Sequence, residues 1–162
     1  MSKDELMSAT NIIAWSIMSS TRLCCVTYAD RNSIKNQAAE DLILGHQHRV
    51  VACNAAAFGA SVPGDRVIIT AKQGSKRLFL VAQIRERLYD CHLWRDHGGL
   101  SWEHVFLYEP LTELQELTSV HQDIIAEAAA RHGCNKNNLF HPMFCSARMN
   151  PVLDELLEVL KI

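Results

Sequence analysis

The chain has 162 residues, of which 48% are hydrophobic and 21% are charged, and its formal net charge is −2 with the histidines neutral. These values indicate one globular domain that buries roughly two thirds of its unfolded surface, and they exclude an intrinsically disordered chain. The weak negative charge also excludes a protein that binds nucleic acid through a strongly basic composition. Such binding would need a local basic patch or a pocket for one base.

The six cysteines lack the short-loop pattern of a small secreted disulfide-rich protein, and two of them, Cys24 and Cys25, are adjacent. The N-terminal sequence MSKDEL leads into no long apolar segment, so we expect neither a signal peptide nor a membrane span. We therefore expect a protein that is not secreted, does not bind membranes, and keeps mostly free, buried thiols. The cytoplasm, the nucleoid or the nucleus is its expected location.

The first third of the chain predicts short strands and one helix. The apolar segment Ile12–Ile17 predicts the first strand, and the segment 23–28 (LCCVTY) is either a second strand or a loop. A helix is predicted from Ser33 to Leu44, because a polar N-cap precedes the apolar residues at helical spacing and Gly45 follows them. A short strand is expected at 50–53.

The segment Val62–Ile84 predicts a β-hairpin. Pro63-Gly64-Asp65 is a turn signal, Arg66–Ala71 is rich in β-branched residues, and Leu78–Ile84 is apolar enough for a buried strand. Between the two strands lies the polar segment Lys72–Lys76, which contains glycine as a hairpin connection should.

The C-terminal third predicts two helices. Apolar residues at intervals of three and four predict a helix over 112–131, with Ser119 as a candidate break. Pro151 at a first helical position predicts a last helix over 151–161. Since no internal repeat or linker is present, residues 1–162 indicate a single α+β domain, with these two helices packed on its sheet.

Aromatic and histidine residues cluster on and between two further predicted strands, Leu88–Trp94 and Trp102–Tyr108, the second of which should end at Pro110. Aromatic faces stack on unpaired bases at about 1–3 kcal/mol each. The alternative is that alternating aromatic residues fill the core. Trp94 is the preferred stacking residue, because the polar segment 95–97 follows it. The cluster consists of Tyr89, His92, Trp94, His97 and Trp102.

Basic residues of the hairpin and of the helix start predict a surface for phosphate groups. Only a few such residues are needed, and their binding would be sensitive to salt. Ordinary solvated charge at the hairpin ends is the alternative, and the two interpretations are compatible. The candidate phosphate-binding residues are Lys35, Lys72, Lys76, Arg77 and Arg85.

Metal and catalytic signals are weak. Zinc ligand types occur at His132, Cys134, His141 and Cys145, but their spacing matches no common zinc module, so buried thiols and surface histidines are the preferred interpretation. The chain has no nucleophile elbow, Walker loop, His-Glu-x-x-His motif or dinucleotide fingerprint. No cofactor and no catalytic residue are therefore expected, and an enzyme is less favoured than a binding protein.

Five short motifs follow one another along the chain: Ala14-Trp15-Ser16, Lys35–Ala39, Gly64–Ile68, Val81–Ile84 and 102–111. Their order resembles that of the PUA-like superfamily, and within it the EVE domains, which are related to the YTH and ASCH modules. The similarity covers roughly residues 11–117. The chain departs from the family pattern in two places, a long insert before Gly64 and the segment 27–30 in place of a Trp-Gly segment.

The resemblance implies a small mixed β-barrel flanked by helices that holds a modified or flipped base in an aromatic pocket. It implies a nucleic-acid partner and a reader without a catalytic step. One alternative is an enzyme acting on a nucleic-acid or nucleotide substrate, and another is a small module that binds a protein through its C-terminal helices. The base-binding residues implied by the resemblance and the aromatic cluster are Trp15, Ser16, Asn36, Trp94, His97 and Trp102.

Overall fold

The computed structural model describes residues 22–30, 34–53, 61–95, 101–140 and 147–160, and of residues 89–95 and 101–103 it describes the backbone only. The predicted strand Ile12–Ile17 lies outside these ranges. The described strands are β1 (Leu23–Tyr28), β2 (Val50–Ala52), β3 (Arg66–Gln73), β4 (Lys76–Arg95), β5 (Ser101–Pro110) and β6 (Gln115–Glu116). The described α-helices are α1 (Gln37–His48), α2 (Ser119–Arg131) and α3 (Asn150–Val159), and 3₁₀ turns lie at Lys136–Asn138 and Ala147–Met149.

One sheet contains all of these strands, in the order β1-β3-β4-β5-β2, and β6 adds to β4. Strand β1 is parallel to β3, and every other pair is antiparallel. The sheet curls into a half-barrel with helices against it, which confirms the α+β class. The hydroxyl of Tyr28 on β1 accepts a hydrogen bond from the backbone N–H of Ala52 on β2 at 2.8 Å, so a side chain links the two outer strands of the curled sheet.

Both faces of the β3–β4 hairpin are buried away from its tip, which explains the apolar runs in its sequence. One face, with Val67 and Ile69, belongs to the core beneath α1. The other face, with Ile68 and Phe79, belongs to the core formed with α2 and α3. The predicted hairpin is confirmed, because its strands pair in register from Arg66 opposite Gln83 to Gln73 opposite Lys76.

The Gly-Asp turn makes hydrogen bonds both to the residue before β1 and to β4. Gly64 has φ +96°, a conformation that favours glycine, and its N–H donates to the carbonyl of Ile84. Asp65 is buried, and its carboxylate accepts hydrogen bonds from the backbone N–H of Arg22 at 3.1 Å and of Val62 at 3.0 Å. The turn therefore fixes how β1 lies beside β3.

Helix α1 begins and ends later than the predicted Ser33–Leu44. Its first turn is capped by Asp30, whose Oδ1 accepts from the N–H of Ala38 at 3.0 Å. Gly45 does not end the helix, because it lies on the buried face, and the chain leaves the helix at Arg49 with φ +57°. The prediction was wrong at both ends, since the cap lies outside the helix-start motif and a buried glycine can continue a packed helix.

Strand β4 joins what the sequence predicted as two strands, 78–84 and 88–94. The charged residues 85–87 separate the two predicted strands, and a register shift between Ile84 and Glu86 forms a bulge there in the pairing with β5. The predicted strand 102–108 is present within β5, which ends at Pro110 as expected.

The predicted helix 112–131 was wrong in its first seven residues. Thr112 is buried, and its hydroxyl accepts a hydrogen bond from the N–H of Val81, while residues 115–116 form β6. The helix begins at Ser119 behind a capping box of Thr118 and His121. The last helix is confirmed, beginning at Asn150, one residue before Pro151.

Candidate nucleic-acid interface

Three of the predicted base-binding residues, Trp15, Ser16 and His97, lie outside the described residues. Trp94 and Trp102 lie on β4 and β5, where Cys91 pairs with Trp102 and Arg95 with Ser101. The backbone therefore places these two tryptophans at the same end of the β4–β5 pair.

Asn36 immediately precedes α1, whereas the predicted helix 33–44 would have included it, and it has a left-handed backbone conformation with φ +64°. Its side chain makes no capping hydrogen bond to the helix. Asparagine tolerates this conformation better than most residues do, which accounts for its presence at this position without a ligand.

Three of the five predicted phosphate-binding residues, Lys72, Lys76 and Arg77, line one cleft of about 320 Å³ at the tip of the β3–β4 hairpin. Arg85 lies eight residues further along β4, roughly 26 Å away at the rise of an extended strand. Lys35 lies two residues before the start of α1 and lines no part of this cleft.

The hairpin turn brings the basic residues together. Gly74 has φ +64°, which allows a tight two-residue connection between β3 and β4. Lys72 pairs directly with Arg77 across the two strands, and opposite residues of a pair project from the same face of a sheet. The strand register therefore places Lys72 and Arg77 side by side, and Lys76 lies next to them at the start of β4.

Arg77 is held in place by its neighbours. Its Nη1 donates a hydrogen bond of 2.6 Å to Oγ1 of Thr70, which is fully buried. Its carbonyl accepts a hydrogen bond of 2.8 Å from the N–H of Leu117. The guanidinium is thus oriented before any ligand binds, and its other N–H groups can donate to a bidentate anion.

The single acidic residue of the cleft, Glu116, lies 3.9 Å from the ammonium of Lys76. The side chains of both residues are largely exposed, and such surface pairs contribute little. The cleft therefore carries three positive charges against one negative charge, although the whole chain is weakly acidic.

A second cleft, of about 370 Å³, adjoins the first, and Leu117 and Gln122 line both. Its walls come from α2 and from the 3₁₀ turn, with the ring of Phe140 on one side. Phe140 contacts Phe79 edge to face, with ring centroids 6.0 Å apart. Sequence reasoning missed this cleft, because its residues come from separate segments and form no motif.

The zinc residues have other partners where they are described. The Nε2 of His132 lies 2.9 Å from Oε2 of Glu155, and Sγ of Cys134 lies within hydrogen-bond distance of two backbone carbonyls. His141 and Cys145 lie outside the described residues. Across the described ranges, no group of three or more histidine, cysteine, aspartate or glutamate residues could hold a metal ion.

The described buried thiols are free and poorly suited to nucleophilic catalysis. Cys24, Cys25 and Cys53 are buried and form no disulfide. Burial raises the pKa of Cys25 to about 12 and that of Cys53 to about 12, so almost no thiolate exists near neutral pH. The prediction of free buried thiols is confirmed for these three residues.

In the part of the chain that the structure describes, no helix has the length and apolar character needed to cross a membrane. The sequence matches no model of a known protein family, and no curated protein sequence matches it.

Proposed function

We propose that the protein binds nucleic acid and holds backbone phosphates in the cleft at the tip of the β3–β4 hairpin. The observation that carries the proposal is the gathering of Lys72, Lys76 and Arg77 around one cleft that has a single acidic residue. Phosphate contacts by lysine and arginine supply most of the affinity of proteins for nucleic-acid backbones.

The three cations have complementary roles in the proposal. Arg77, fixed by Thr70, donates two parallel hydrogen bonds to one phosphate. Lys72 and Lys76 are exposed and act as mobile point charges for the same phosphate or a neighbouring one. Because the net charge of the chain is −2, binding depends on this cleft rather than on a general positive field.

The second part of the proposal concerns base recognition and rests on the resemblance to EVE domains of the PUA-like superfamily. In this proposal a modified or flipped base stacks on Trp94 and Trp102, and Asn36 hydrogen-bonds its edge. The shared location of the two tryptophans at one end of the β4–β5 pair supports this part. Trp15, Ser16 and His97 would complete that pocket.

A titration of labelled single-stranded and duplex oligonucleotides, at several salt concentrations, tests the phosphate contacts. The double variant Lys72→Ala/Lys76→Ala should weaken binding and reduce the slope of log K against log salt by about 1.4 for a single strand. The variant Lys35→Ala/Arg85→Ala removes the same charge at the two predicted phosphate-binding residues that lie outside the cleft, and it is the comparison variant. Equal weakening by both variants would contradict a local site, and absence of wild-type binding at low salt would refute the function.

Base recognition is tested with modified and unmodified oligonucleotides of one sequence. Trp94→Ala should abolish the discrimination between them, because a stacking surface is lost. The same variant should leave the salt slope unchanged, since no phosphate contact is removed. A Trp94→Ala protein that still discriminates would place base recognition elsewhere.

A further inference from the structure

We infer that the cleft between α2 and the 3₁₀ turn takes one base of the bound strand while its phosphate lies at the hairpin tip. This inference rests on the proposed phosphate site and names a base contact separate from the tryptophan strands. The apolar residues that line the cleft are Leu117, Ile125, Ala126 and Phe140, and its polar lining residues are Gln122, Asp123, Lys136 and Asn137.

The size and chemistry of this cleft suit a flat heterocycle. Its volume of about 370 Å³ lies within the range of about 300–1,000 Å³ that is usual for small-molecule sites. Phe140 is partly exposed and provides an aromatic surface that can contact a base. Apolar and aromatic lining residues combined with a few polar groups are usual in a ligand pocket.

The polar residues of the cleft offer both donors and acceptors. The amides of Gln122 and Asn137 are exposed, and within the described ranges neither side-chain amide hydrogen-bonds another residue. Side-chain amides can read the hydrogen-bonding edge of an unpaired base, and the carboxylate of Asp123 can accept from an exocyclic amino group. A single strand therefore suits the cleft better than a duplex, in which these edges are paired.

The two clefts are neighbours at fixed positions. Leu117 and Gln122 line both, and the N–H of Leu117 donates to the carbonyl of Arg77 at 2.8 Å. The ring of Phe79, from the same hairpin, contacts both His121 of α2 and Phe140. The phosphate and base sites are therefore built on elements that pack against each other. Their spacing is fixed, which suits a ligand whose base and phosphate are covalently linked.

Two tetramers with the same number of phosphates separate base binding from phosphate binding. One is a labelled single-stranded tetranucleotide of mixed sequence, and the other is an all-abasic tetramer. Wild-type protein should bind the tetranucleotide about tenfold more tightly, the size of one stacking contact. Ala126→Trp, which fills the cleft, and Asn137→Ala, which removes an amide, should each cut this preference at least threefold and leave affinity for the abasic tetramer unchanged.

Ala130→Trp is the matched control, because it adds the same side chain to an exposed position of α2 that does not line the cleft. It should keep the full preference, and thermal melts identify any variant that is misfolded. If Ala126→Trp and Asn137→Ala both retain the preference, or wild type has none, the base site is overturned while the phosphate site stands. If wild type binds neither tetramer at low salt, the proposed function itself fails.

Discussion

Replacement of Asp65 by alanine tests the turn that positions the hairpin. The carboxylate of Asp65 accepts from two backbone N–H groups, at 3.1 Å from Arg22 and 3.0 Å from Val62, and the residue is only 5% exposed. Alanine offers no acceptor in its place. Both N–H groups lose a charge-assisted hydrogen bond in a partly buried site.

The expected loss of stability follows from these two bonds. A buried polar group left without its partner costs about 1–3 kcal/mol. Because both bonds are only partly buried, we take about 1–1.5 kcal/mol, near the bottom of that range, for each of the two N–H groups and expect Asp65→Ala to lose about 2–3 kcal/mol in the free energy of unfolding. For a domain of this length, this corresponds to a fall in Tm of about 4–12 °C.

Thermal and urea denaturation at pH 7, followed by circular dichroism, measure this loss. Asp65→Asn keeps one side-chain acceptor and should lose about half as much, whereas the exposed Asp123→Ala should change stability by less than about 0.5 kcal/mol. An Asp65→Ala protein that melts within about 2 °C of wild type would refute the structural role of the turn.

Three further substitutions test other parts of the structure. Arg66 donates from Nε and Nη2 to Oδ1 of Asn150 at 3.0 Å and 2.6 Å, so Arg66→Lys, which cannot form this fork, should lose about 1–2 kcal/mol in urea denaturation. Burial, helped by a neighbouring arginine, lowers the pKa of His46, so the folded state favours the neutral ring. Stability should therefore fall as pH drops from above the unfolded value of about 6.5 towards the lowered pKa, and a His46→Gln variant should lose that part of the pH dependence. Thr70→Val removes the hydroxyl that holds Arg77 and should weaken oligonucleotide binding two- to fivefold, which corresponds to about 0.5–1 kcal/mol for one orienting hydrogen bond. The salt slope should not change, because the charge of Arg77 remains. An unaltered affinity would show that Arg77 needs no positioning.

The hairpin could be predicted from the sequence because its physical signals agree. Residues 67–71 and 78–82 are almost all apolar on both faces, since α1 covers one face and α2 with α3 covers the other. The turn residues Gly64 and Gly74 both have positive φ, which is the conformation that glycine permits at least cost. Local and tertiary preferences therefore point to the same structure.

The segment 112–118 was predicted as helix because its leucines recur at helical intervals. Leu111, Leu114 and Leu117 do pack against the two cores, so the apolar spacing reflects real burial. Their backbone, however, bonds to β4: the N–H of Leu111 donates to Val81 and that of Leu117 donates to Arg77. Three leucines cannot distinguish helix from an extended segment that follows a strand, and tertiary hydrogen bonds decided the outcome.

The phosphate cleft was partly predictable and the adjoining cleft was not. Lys72, Lys76 and Arg77 are close in sequence, and a hairpin tip must bring such residues together. Gln122 and Asn137 are fifteen positions apart, and only the packing of the 3₁₀ turn beside α2 places them in one cleft. No local pattern encodes that packing.

The position of both clefts follows from how the hairpin is covered. Ile68, Thr70 and Lys72 alternate along one face of β3, and their partners across the hairpin are Val81, Phe79 and Arg77. Ile68, Phe79 and Val81 are buried in the core formed with α2 and α3, whereas Lys72 is exposed and Arg77 is half-buried. The same face thus changes from apolar to cationic along its length. Gln122 of α2 lines the cleft at the cationic end, so a ligand there contacts that helix. A binding site on this face of the hairpin therefore combines residues of the hairpin tip with residues from the start of α2.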